Sequence, residues 1–137
     1  MTDAAHAEYG GDPEIALITP AACAVPDASG ARLKGKQSVK LTPESLAARA
    51  FEAVEIDAEF HCTNELNRPF QPLFEDSGLR VTGIGDEGEA RVVELTGSRF
   101  FIATLFLPQV AALEGEPSPL IDSYVKAAAA SLRGRVS

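Results

Sequence analysis

Only two cysteines, Cys23 and Cys62, occur in the 137 residues, 39 positions apart and without a C-x-x-C pair. That scarcity excludes a disulfide framework and a cysteine-based zinc site, so both are expected to be reduced thiols. Long hydrophobic runs are also missing. The longest apolar stretch, Phe100 to Val110, is broken by Thr104 and Gln109 and falls far short of the ~20 residues a membrane helix needs. No membrane partner is expected. Residues 1–11 carry acids and no apolar core, so they do not read as a secretory signal, and a cytoplasmic address is expected. Basic side chains are few, 12 against 20 acidic ones, giving a formal net charge of −8. The imbalance is even along the chain, 11 acidic and 6 basic residues in 1–68, then 9 and 6 in 69–137. A phosphate-backbone footprint needs the opposite sign gathered on one face, so nucleic acid is not an expected partner.

What is present is ordinary globular material: 45% hydrophobic and 23% charged residues, enough for a core, in a length that suits one domain spanning 1–137. Residues 1–12 are expected to be a mobile terminus. Glu14 to Thr19 is a short apolar run stopped by Pro20, which predicts a buried strand. A loop is expected next, punctuated by Pro26, Asp27, Ser29 and Gly30. Thr42-Pro43-Glu44-Ser45 combines a cap, a first-turn proline and a first-turn acid ahead of a short helix over Leu46 to Phe51. The residues from Glu52 to Phe60 alternate acidic and apolar, predicting a strand with an acidic outer face. Pro69, Pro72 and Gly78 bound a turn and at most a short helix. Three strands, Leu79 to Ile84, Glu89 to Leu95 and Phe100 to Leu107, are joined by tight polar loops and predict an antiparallel meander. Leu120, Ile121, Tyr124, Val125, Ala128 and Leu132 repeat at helical spacing, with Pro119 in the first turn and Gly134 past the end.

Few segments point to chemistry. Arg32, Lys34, Lys36 and Lys40 form the one basic run, but without glycine-rich phosphate-loop spacing a solvated strand face explains it equally well. The alternating Glu52, Glu55, Asp57 and Glu59 lack a histidine or a second acidic segment, and such carboxylates are more often a solvated face than a metal site. No metal and no cofactor are expected. His61 and Cys62 are neighbours, and neighbours on a strand point to opposite faces, so they do not form a Cys-His pair without a bulge. His61 with Glu65 or Glu59 across one face is the easier geometry.

Phe100-Phe101-Ile102-Ala103-Thr104-Leu105-Phe106-Leu107-Pro108-Gln109, followed by Pro117-Ser118-Pro119-Leu120 and Tyr124-Val125-Lys126-Ala127-Ala128, resembles the end of the glutamine amidotransferase domain of CTP synthase. That family reads F-F-x-x-x-Q-F-H-P-E, then P-S-P-L-F and a closing helix. Arg32-Leu33 with Gly35, then Ser45-Leu46-Ala47-Ala48, are similar to its M-R-L-G and S-L segments. Glu65-Leu66-Asn67 and Ser77-Gly78-Leu79-Arg80-Val81-Thr82-Gly83 are similar to R-Y-E-V-N and A-G-L-x-x-x-G. The pieces run in order from about Arg32 to Lys126. The resemblance implies an α/β fold, with a mixed, partly antiparallel sheet and flanking helices, like the second half of a class I amidotransferase domain. Small proteins related to the CTP synthase C-terminal region, without the synthetase domain, are the implied relatives.

Such domains hydrolyse glutamine with a cysteine on a G-x-C-x-G elbow, activated by the His and Glu of H-P-E. Carried over position by position, these roles fail. Cys23 and Cys62 lack the flanking glycines; the His position is Leu107 and the Glu position is Gln109. Leucine moves no proton. The segment at the family's R-H-R-Y-E is Cys62-Thr63-Asn64-Glu65, without the arginine that helps hold a glutamine carboxylate. The expected function is therefore a degenerate amidotransferase-like domain related to pyrimidine-nucleotide biosynthesis, lacking glutaminase activity and kept for a glutamine-like or nucleotide-related ligand or for regulation. His61, Cys62, Thr63 and Glu65 are its candidate ligand-binding residues. Two alternatives stand beside it: an interaction module or homodimer whose sheet is completed by a partner supplying the missing half, and a thiol-dependent enzyme using Cys62.

Overall fold

The computed structural model describes residues 5–6, 9–12, 15–21, 33–62 and 64–133. Cys23, Thr63, Arg32, Glu14, Gly134 and the punctuating residues 26–30 of the expected loop lie outside them. Seven strands and four α-helices are described: β1 (Ile18–Pro20), β2 (Leu33–Leu41), α1 (Leu46–Phe51), β3 (Glu55–Cys62), β4 (Asn64–Leu66), α2 (Gln71–Asp76), β5 (Leu79–Ile84), β6 (Ala90–Leu95), β7 (Ile102–Thr104), α3 (Gln109–Leu113) and α4 (Pro119–Arg133), with a 3-10 turn over Arg68–Phe70 ahead of α2. Five strands form the main sheet in the order β3-β2-β5-β6-β7, and β1 pairs with β4 in a small second sheet. All these ladders are antiparallel, and one parallel bridge, His6 to Ile18, completes the mixed character. No described helix is long and apolar enough to cross a membrane.

The meander β5-β6-β7 is where the turn chemistry places it, although β7 is shorter than the run Phe100 to Leu107. The strand expected over Glu14 to Thr19 is reduced to Ile18–Pro20, with Ile15 in a turn. The nine residues of β2 carry most of the basic run, whose lysines read as a solvated strand face. Its period-two pattern sends Val39 and Leu41 into the core, while Lys36, Ser38 and Lys40 take the other face. Gly35 and Gln37 at inward positions dilute the apolar signal. Across the β2–β3 register Lys36 stands opposite Glu59 and Lys40 opposite Glu55. The basic run and the acidic alternation are thus two sides of one cross-strand charge ladder, each pair worth well under about 1 kcal/mol in solvent.

Val39, Leu41, Ala58, Phe60, Val92 and Phe106 fill the inner face of the main sheet, with Ala47 and Ala48 of α1 laid against them. Phe106 meets Phe60 edge-on with ring centroids 6.0 Å apart, a favoured aromatic geometry. At Gly83, beside a register shift in the β5–β6 ladder, an added Cβ would lie 2.6 Å from the Val92 side chain. Only glycine admits that approach.

The sheet curls until its two ends meet. The Leu107 amide, just past β7, donates to the Glu59 carbonyl on the outer edge of β3 at 2.9 Å, and the Cys62 thiol donates to the Leu105 carbonyl at 2.9 Å. The helix α1 is too short to persist alone, and its start is held from two directions. Ser45, not Thr42 as the sequence pattern suggests, is its cap: Ser45 Oγ accepts from the Ala48 amide at 3.0 Å. The Glu94 carboxylate on β6 accepts from the Leu46 and Ala47 amides at 3.0 and 2.8 Å and from Thr82 Oγ1 at 3.0 Å. Three donors, two amides of the helix start and the Thr82 hydroxyl on β5, satisfy a carboxylate that burial would otherwise penalise heavily.

Candidate functional site

Leu107 and Gln109 sit on the segment that closes the sheet. Leu107 is half-buried, and its side chain helps line a recess of about 230 Å³ between the β3 edge and the chain running from Phe106 into α3. Phe51, Ile56, Phe106 and Pro108 make its apolar walls, while Asp57, Glu59, Glu114 and Glu116 bring carboxylates and Lys36 an ammonium. Gln109, the first residue of α3, is exposed and is not part of this lining. The one hydroxyl in the lining, Ser118, donates to the Pro108 carbonyl at 2.9 Å. This recess contains no thiol and no imidazole. It can hold a small cationic or amide-bearing molecule, but it pairs no nucleophile with a base.

The residues 61–65 are dispersed rather than gathered. His61 projects on the exposed face of β3; Cys62 faces inward, half-buried, against the hydrophobic core; Thr63 lies outside the described residues. Glu65 belongs to β4 in the small sheet and is buried, where it meets Arg91 instead of His61. The expected His61–Glu65 face does not form, because the chain leaves one sheet for the other between them. None of His61, Cys62 and Glu65 lines the recess beside Leu107.

Sequence reasoning missed Arg91, which is only 1% exposed. Its guanidinium lies 2.6 Å from the Glu89 carboxylate and 3.4 Å from that of Glu65, and 5.2 Å from the centroid of the Phe60 ring. Arg68 approaches the other Glu89 oxygen at 3.9 Å and bonds Glu87 at 2.9 Å near the surface. Two nearly buried carboxylates against one guanidinium, flanked by a second, make a compensated network. The available signal was an arginine set among apolar neighbours in the strand segment Ala90-Arg91-Val92-Val93. Arg91 also forms part of the wall of a second recess of about 250 Å³, otherwise built from Leu66, Phe74, Val93, Phe101 and Leu105 among others. With its donors committed to Glu65 and Glu89, that recess is apolar. Among the described residues, no group of three or more His, Cys, Asp or Glu side chains could hold a metal ion.

No family model matches the chain. Among curated proteins, the CTP synthase of Acaryochloris marina is 34% identical over 132 residues, covering 93% of this chain and 24% of that protein. The CTP synthase of Syntrophus aciditrophicus is 32% identical over 117 residues, covering 85% and 22%, and that of Methanopyrus kandleri 30% over 132 residues, covering 94% and 25%. A solved structure, the glutaminase domain of Trypanosoma brucei CTPS with bound acivicin, superposes with a TM-score of 0.78 at 21% identity, over 93% of this chain and 51% of that one. The curled sheet and its helices therefore have the fold of a class I glutamine amidotransferase domain. More particularly, the chain is related to the C-terminal, glutaminase-domain part of the CTP synthases. It spans about a quarter of the length of the curated relatives it matches.

Proposed function

We propose that this chain is a CTP synthase-related glutaminase-type domain that does not hydrolyse glutamine by the family mechanism and acts instead by binding a small ligand. The observation that carries this reading is Leu107. The residue at the family's histidine position gives its amide to the Glu59 carbonyl and its side chain to an apolar wall, and neither moves a proton. Gln109, at the glutamate position, is exposed and would have no imidazole to orient. The Cys62 thiol is engaged with the Leu105 carbonyl, which supports a packing role. A recess of mixed apolar and acidic character survives beside Leu107, and its chemistry suits the amine and amide ends of a glutamine-like molecule.

The test is paired. Purified protein with glutamine should release ammonia no faster than a blank; turnover that disappears in Cys23→Ala or Cys62→Ala would overturn the proposal. Thermal melting with glutamine, glutamate and nucleotides should reveal one stabilising ligand. At a hundred times its dissociation constant, a single ligand adds about 2.7 kcal/mol, which for a domain of this size raises the melting temperature by several degrees.

A further inference from the structure

A third recess, of about 370 Å³, lies where the start of α1, the Leu95 end of the β5–β6 ladder and the tight loop Thr96-Gly97-Ser98 meet. It shares no lining residue with the two described above. Its polar groups fall into two sets. The first is committed inward: Glu94, 8% exposed, takes the Leu46 and Ala47 amides and the Thr82 hydroxyl, while Ser45 Oγ takes the Ala48 amide. The first amides of α1 are therefore spent and offer a ligand nothing. The second set is open. Arg80 stands opposite Glu94 in the β5–β6 register, where a cross-strand ion pair is the usual outcome. Glu94 is drawn to α1 instead, and among the described residues Arg80 makes no hydrogen bond or ion pair. Arg49 enters the same recess from α1, with one guanidinium nitrogen donating to the carbonyl of Glu44, whose backbone is left-handed at φ 64°. That contact orients the guanidinium and leaves other N–H groups for a second acceptor. The hydroxyls of Thr42, Thr96 and Ser98 also line the recess and have no protein partner among the described residues.

We infer that this recess is a phosphoryl-binding site, taking inorganic phosphate or the phosphate end of a small metabolite on Arg49 and Arg80. Guanidiniums arriving from a helix and from a strand, with three hydroxyls beside them, supply more donors than the two oxygens of a carboxylate can use. A phosphate offers a third terminal oxygen, and an arginine fork meets its oxygens two at a time. Local charge sets the strength. Glu44 is the one uncommitted acid in the lining, so two exposed guanidiniums face one free carboxylate, and salt screens them. A dissociation constant on the order of 1 mM is expected for such exposed groups. The inference stands apart from the ligand proposed for the recess beside Leu107.

Titrating the isotope-labelled full chain with sodium phosphate at constant ionic strength should move the Thr96, Gly97 and Ser98 amide resonances along a saturating curve. Glycerol phosphate, run in parallel, separates the two sources: tighter binding than inorganic phosphate assigns the site to a phosphorylated metabolite, and weaker binding assigns it to the free ion. Arg80→Gln alters an exposed side chain, should leave the thermal melt unchanged, and should weaken binding about tenfold. Arg99→Gln removes the same charge from an exposed arginine outside the lining and should leave the affinity within about twofold. Shifts that rise without saturating, or that acetate or chloride produce equally, would overturn the inference. So would a loss of affinity as large in Arg99→Gln as in Arg80→Gln.

Discussion

At the scale of single residues, the buried arginine is the most consequential side chain. Arg91 is held between Glu89 and Glu65 under the Phe60 ring, and desolvating all three charges offsets much of their attraction. Removing the middle charge is another matter. Arg91→Ala would leave two carboxylates nearly buried and facing each other, and is expected to lose about 3–5 kcal/mol of unfolding free energy in a urea titration. Replacing the whole set, Arg91→Met with Glu65→Gln and Glu89→Gln, should restore most of that loss, because no charge is then stranded. Such a network is hard to read from sequence, since the partners stand 26 residues apart in Glu65 and Arg91. The substitutions at Leu107 and Gln109 were readable, because Phe100, Phe101, Phe106 and Pro108 keep the frame of the motif around the altered letters.

At the scale of elements, α1 shows how a six-residue helix survives. Three of its first amides are satisfied by side chains, two of them by Glu94 from a strand 47 and 48 residues away. Ser45→Ala removes one local bond and should lower stability by about 1 kcal/mol. Glu94→Ala strips two amides and the Thr82 hydroxyl together and should lower it by about 2–4 kcal/mol. Amide exchange at Ala47 should accelerate in the Glu94 variant and hardly at all in the Ser45 variant. The helix itself was legible from its apolar run, though its cap is Ser45 and not Thr42, and a capping carboxylate supplied by β6 leaves no local trace. The meander was legible because Gly85 to Gly88 and Thr96 to Ser98 are short polar breaks between apolar strands. Of the central strand β2 only the basic, solvated face was legible, because Gly35 and Gln37 occupy inward positions and dilute the apolar alternation.

At the scale of the whole molecule, the sheet is held as a curl by the contacts between the segment after β7 and the edge of β3. An isolated edge strand invites foreign pairing, and the Leu107 amide and Cys62 thiol cover part of this one from within. Hydrogen exchange should therefore show the Leu107 amide protected nearly as well as the β2–β3 ladder, although it lies outside any strand. The amides of the short, exposed helix α3 should exchange orders of magnitude faster. Equal, rapid exchange at Leu107 and α3 would mean that the curl opens freely.

The closing bond at residue 107 is made by the backbone alone. Every amino acid except proline carries that donor, so the architecture does not depend on which side chain stands there. A reactive group can be exchanged for an inert one at this point without the sheet coming apart, leaving chemistry and scaffold separately adjustable at a single position.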